Sequence, residues 1–230
     1  MMFQKWHISL LFLAVLFLGN SRIALAQSTP RSLLWEPEFD ITLPSDNSWE
    51  FTFGLANRYL FQSDLNDERI LEDDQQHFEL NQFTTYKTSS NAAFSLGFRY
   101  RFREIFEGSR QDEFRIIEQF TYKHRGTFLT PAHRIRFEQR FRELTIYRLR
   151  YRIGIAQPLN EDFGLSFSTE FLYSMVKDLR PETDQRFTLK IGNSSFRNLD
   201  LSAGVELRRE DYTGAPSSEI YILSSASIQL

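Results

Sequence analysis

The sequence predicts an all-β protein: an antiparallel, transmembrane, up-and-down β-barrel of about ten strands, with twelve as the alternative count. Three observations carry that expectation. Beyond one short apolar run at its start, the chain has none long enough to cross a bilayer as a helix. Most of the remaining chain alternates apolar and polar side chains with period two over long stretches. Aromatic residues gather near the ends of those stretches.

The opening segment has the layout of an export signal. Lys5 gives a positive start, Leu10 to Leu18 is uninterrupted apolar, and Ala24-Leu25-Ala26 is a small-x-small cleavage site. A spanning helix needs roughly 20 apolar residues, and this run is well short of that. Residues 1–26 are therefore expected to be a cleaved signal peptide, with the mature chain starting near Gln27. An exported chain of this kind is periplasmic, secreted or a barrel in the outer membrane of a Gram-negative-type bacterium. There is no cysteine, which removes disulfides, thiolate nucleophiles and cysteine-ligated metals.

Aromatics reach 15 %, with 23 phenylalanines, while 25 % of residues are charged, so the way the two classes interleave decides the architecture. From Ala92, the even positions read Ala92, Phe94, Leu96, Phe98, Tyr100 and Phe102, and the odd positions include Ser95, Gly97, Arg99, Arg101 and Arg103. Only a β-strand presents such a pattern as two clean faces. The same alternation runs through Trp49–Tyr59, Tyr147–Ile155, Phe163–Tyr173 and Leu199–Leu207. Weaker copies cover 78–87, 113–123, 133–142, 186–192 and 219–230. Runs of this length suit a tilted strand crossing hydrocarbon, which takes about 9–11 residues, better than a soluble strand of about five or six. Trp49, Tyr59, Tyr86, Tyr100, Phe102, Tyr122, Tyr147 and Tyr173 lie where interfacial girdles belong.

Connections mostly alternate short and long. Thr88–Asn91, Pro158–Asp162 and Asn193–Arg197 are short and are expected as periplasmic turns. The stretches 61–76, 104–111, 175–184 and 209–217 are long and are expected as outer loops. The link near 124–130 is loose for a turn, and that near Arg142–Leu144 is short for a loop. Phe39, Ile41 and Leu43 also alternate, but Pro37 argues against a central strand. Residues 27–47 are accordingly expected to be a periplasmic lead-in or partial strand, and 48–230 the barrel.

His133-Arg134-Ile135-Arg136-Phe137-Glu138-Gln139-Arg140-Phe141, followed by Tyr147-Arg148-Leu149-Arg150-Tyr151-Arg152, is more than generic alternation. On this motif the chain resembles the domain-of-unknown-function family 2490, uncharacterised bacterial outer-membrane β-barrel proteins. The strand order around the motif is similar over most of the mature chain. The resemblance implies a barrel and its location, and no established activity. One departure is the end, Ser227-Ile228-Gln229-Leu230, where such barrels commonly finish on an aromatic.

With the aromatic face toward lipid, the other face lines the lumen and is basic. The expected basic wall comprises Arg99, Arg101, Arg134, Arg136, Arg140, Arg148, Arg150 and Arg152, with Glu138, Glu170 and Glu206 as acid partners. Unpaired charge in a dry interior is costly, and the fork of arginine suits shared ion pairs. The first reading is thus a non-enzymatic barrel, structural or of unknown cellular role, closed by such a network. The alternative is a narrow anion-preferring pore or small-ligand channel, since rings of arginine select anions. A hydrolase or acyltransferase is the weaker alternative, resting on His77 beside Asp73 and Asp74. His124 and His133 fall at the periplasmic end. No cofactor or metal motif is present, and basic residues alternating with lipid-facing aromatics do not make a nucleic-acid surface. The expected partners are outer-membrane lipid, the barrel-assembly machinery during insertion, and small anions.

Overall fold

A chain that meanders up and down through lipid must pair every backbone N–H and C=O with a neighbouring strand, so its sheet has to close. The computed structural model describes residues 31–45, 48–65, 68–103, 111–124, 130–212, 214 and 216–230. The segment expected to be a signal, 1–26, lies outside them. Among the described residues eleven strands form one closed barrel. They are β1 (Arg31–Pro44), β2 (Trp49–Leu65), β3 (Glu68–Lys87), β4 (Ala92–Phe102), β5 (Glu113–Lys123) and β6 (Ala132–Phe141). Beyond them come β7 (Ile146–Pro158), β8 (Phe163–Val176), β9 (Glu182–Phe196), β10 (Leu199–Glu210) and β11 (Ser217–Gln229).

Each strand pairs antiparallel with the next in sequence. The count is odd, so β1 and β11 run the same way and close the barrel in parallel, from Arg31↔Ser218 to Thr42↔Gln229. This corrects the expectation for 27–47. Residues 31–44 are a full wall strand that begins at the rim carrying the β2–β3 and β10–β11 connections, not a lead-in. Pro37 is tolerated because the β1–β2 ladder lapses at Glu36 and Pro37 and resumes in the same register at Glu38↔Ala56. The stretch 61–76 is likewise not a loop. The β2–β3 ladder continues to Leu65↔Glu68 and carries the hairpin past its neighbours. At the opposite rim, β9 and β10 join through Arg197 and Asn198, with Asn198 taking φ 60°, a region Asn occupies more readily than most residues.

The faces separate as the alternation requires. Phe94, Phe98, Tyr151, Phe167, Phe171, Leu189, Val205 and Ile222 stand exposed on the outside. Aromatic contacts collect toward the rims: Trp49 with Tyr86 at 4.8 Å between ring centroids, Phe94 with Phe120 at 4.7 Å, and Tyr100 with Phe102 at 4.6 Å. Inside, Leu34, Tyr221 and Leu223 form a small apolar cluster with Leu60. The Trp35 indole N–H donates to Ser224 Oγ at 3.0 Å, which ties β1 to β11 on the outer side of the seam.

Glu118 departs from the pattern. It sits at the middle of β5, exposed on the outer face, with Leu96 and Phe137 as its cross-strand neighbours. A lipid-facing charge at that depth costs free energy. We predict that Glu118→Leu raises stability by about 1–2 kcal/mol, and that Phe167→Arg lowers it by about 2–4 kcal/mol. Urea unfolding in lipid vesicles measures both.

Candidate functional site

The inward positions of β2, β4 to β7, β9 and β10 supply arginines, and glutamates set between them hold pairs of guanidiniums. Glu79 on β3 accepts from Arg101 and stands 2.9 Å from Arg99 Nη1, with Arg115 at 3.8 Å. Glu113 on β5 is fully buried; it accepts from Arg115 and from Arg140 at 2.9 and 3.2 Å. Glu138 on β6, also fully buried, accepts from Arg150 at 2.8 Å and lies 3.5 Å from Arg136. Glu170 on β8 accepts from Arg134 at 2.7 Å and from the other Nη of Arg150 at 2.5 Å. Glu206 on β10 accepts from Arg208 at 2.5 Å and Thr188 at 2.7 Å, with Arg186 at 4.0 Å. Sharing follows from composition: arginines outnumber acids on this face, and each guanidinium offers several donors.

All eight arginines expected in the wall project into the interior, as do Glu138, Glu170 and Glu206. The structure brings Arg99 and Arg101 onto Glu79, Arg140 onto Glu113, and Arg134, Arg136 and Arg150 onto Glu138 and Glu170. Two of the eight stay apart from the acids. Arg148 donates to Ser174 Oγ at 2.8 Å, and Arg152 has no hydrogen bond or ion pair among the described residues. In the β6–β7 connection, desolvation and the neighbouring Arg140 hold the Arg142 guanidinium below its ordinary value.

Sequence reasoning missed Glu36, Glu38 and Asp40, the inward acids of β1. Their signal is the alternation with Trp35, Phe39 and Ile41, which Pro37 interrupts. Glu36 accepts from Arg58 at 2.9 and 3.2 Å and from Arg208 at 3.0 Å, so it joins β2, β1 and β10 across the seam. Arg208 also stacks 3.4 Å from the Tyr221 ring centroid.

His77 does not open a strand beside a loop. It lies within β3, buried and facing inward, with Nε2 3.4 Å from Glu79. The side chains of Asp73 and Asp74 lie outside the described residues. His133 meets Tyr151 Oη at 2.9 Å, and His124 packs on His133. Among the described residues no cluster of three or more side chains has the composition of a metal site.

The inward side chains surround a cavity of about 420 Å³. Among the described residues, thirteen basic side chains line it, including Arg99, Arg136, Arg148, Arg152, Arg186 and Lys190, against seven acidic ones. Eleven strands lie between the eight that an interior just fills and the sixteen or more that leave a wide channel. Space for a small solute between long side chains is what that size permits.

Fold and lumen together define a transmembrane β-barrel with a charged interior. Residues 38–218 match the family described as protein of unknown function (DUF2490), and the chain belongs to that family. No curated protein matches it in sequence. Among solved structures it is similar to an anion-selective porin from Comamonas acidovorans, at 13 % identity and a TM-score of 0.39. The match covers 80 % of this chain and 53 % of that one, so the chain spans about half the length of that porin.

The buried acids make a stability prediction. Glu138→Gln leaves Arg150 and Arg136 short of a counter-charge and lowers stability by about 3 kcal/mol. Adding Arg150→Gln costs less than the two single changes summed, because each single change strands a charge. A double-mutant cycle by urea titration measures the coupling.

Proposed function

We propose that this protein is a non-enzymatic outer-membrane barrel whose lumen is a narrow, anion-preferring passage. The observation that carries the reading is the excess of thirteen basic over seven acidic side chains around one interior cavity. A ring of fixed guanidiniums lowers the free energy of an entering anion and raises that of a cation. The low-dielectric wall strengthens this field. Arg148, Arg152 and Lys190 contribute most, because none of them is taken up by a wall acid among the described residues. The signal-like N-terminal segment supports export and placement in the outer membrane. There the aromatic face meets lipid, and the barrel-assembly machinery inserts the chain.

A second reading, a closed structural barrel, is favoured by the complete engagement of Glu79, Glu113 and Glu170 with arginines. In that case the ion pairs act as mortar and the cavity stays dead-ended. The non-enzymatic part of the proposal rests on His77. Its acid neighbour Glu79 is already held by Arg99 and Arg101, which leaves that carboxylate poorly suited to orient a general base.

In planar bilayers under a salt gradient, the reversal potential is expected on the anion-selective side. Arg148→Glu combined with Arg152→Glu moves it toward cation selectivity while leaving the wall pairs in place. A folded barrel without conductance supports the closed reading, and a cation-selective wild type refutes the proposal.

A further inference from the structure

The charge around the cavity is unevenly placed. β1 contributes only acids to its lining, Glu36, Glu38 and Asp40. β6 and β7 contribute only arginines, among them Arg136, Arg148 and Arg152. In a ring of eleven strands taken in sequence order, β6 and β7 stand directly across from β1. The lumen therefore has a negative side and a positive side, and its field points across the passage.

The β1 acids are not uniformly neutralised. Glu36 is held by Arg58 and Arg208. Glu38 and Asp40 have no hydrogen bond or ion pair among the described residues. The cations acting on them most strongly, Arg99 and Lys190, reach them from β4 and β9. Small inward residues make room for these charges. A Cβ on Gly54 would collide with Asp40 Oδ1, and one on Gly204 would sit 2.7 Å from Lys190 Cγ. Two carboxylates without ion pairs thus face the cavity on one side, and two arginines without acid partners, Arg148 and Arg152, face it on the other.

Resting on the anion-preferring reading of the lumen, we infer that the cavity takes small zwitterions. An acid group of the solute lies against the β6–β7 arginines and its ammonium group against Glu38 and Asp40. A pure anion satisfies only the arginine wall and is repelled by the β1 acids. A zwitterion meets favourable charge on both sides, and the cavity volume is within the range of small-molecule sites, about 300–1,000 Å³. Discrimination between the two comes from the repulsive wall as much as from the attractive one.

Taurine and isethionate, near-isosteric sulfonates with an ammonium and a hydroxyl group respectively, separate these cases. Uptake is measured into liposomes carrying the mature protein, with potassium and valinomycin clamping the potential and empty liposomes subtracted. Taurine is expected to enter several-fold faster than isethionate. Glu38→Gln with Asp40→Asn should slow taurine, speed isethionate and bring the ratio to parity. These residues hold no ion pair, so the variant should keep the heat-modifiable migration of a folded barrel; if it does not, either single variant serves. Isethionate uptake equal to or above that of taurine in the wild type overturns the inference and leaves the anion reading intact. An unchanged ratio in the variant also overturns it. Absence of both fluxes from a folded barrel overturns the inference and the anion-preferring reading together, and supports the closed barrel.

Discussion

The requirement that no strand edge face lipid governs the whole structure. With eleven strands the meander ends with its first and last members parallel, and β1 must fill the remaining gap. Parallel pairing is slightly weaker per residue than antiparallel, and the seam carries reinforcement on both faces. Trp35 bonds to Ser224 outside, Leu34 packs with Tyr221 and Leu223 inside, and Glu36 gathers Arg58 from β2 and Arg208 from β10, beyond β11. Without β1 the barrel would be open, and the lumen would lose three of its acids.

Those acids change the electrostatics of the interior. On β3, β5, β6 and β8 the inward glutamates Glu79, Glu113, Glu138 and Glu170 are buried and bridged by arginines, which suits a setting where an isolated charge is expensive and a shared one is tolerable. Neutralisation is incomplete, however, because basic residues exceed acidic ones around the cavity. The surplus is accommodated where side chains meet open space rather than one another. The same geometry thus yields ion-paired wall in one part of the lumen and charge without a partner in another.

Much of this was legible in the residues. Ala92–Phe102 and Tyr147–Ile155 carry facing information in their parity alone, since a strand cannot present both sets of side chains on one side. Arg150 and Tyr151 are adjacent in sequence, yet one is buried within the barrel and the other exposed outside. The ends of strands were harder to read. Residues 61–76 lack clean alternation because the hairpin they build continues past its neighbours, where neither lipid nor a lumen imposes two faces. Glu118 shows the reverse limit, a polar residue on the outer face that parity places correctly and polarity alone would misplace.

Residue pattern alone was enough for the architecture, the facing of most side chains and the family, because lipid and lumen impose a period-two code on each strand separately. Which acid holds which arginine was decided only by the tertiary structure. Glu170 and Arg134 are 36 residues apart, and Glu36 and Arg208 are 172 apart. Strand register and barrel curvature set such distances, and no local pattern encodes them. The odd strand count was also a tertiary decision. A proline that reads as a break in one strand is harmless once two neighbours supply the rest of its ladder, and that rescue exists only when the barrel is closed.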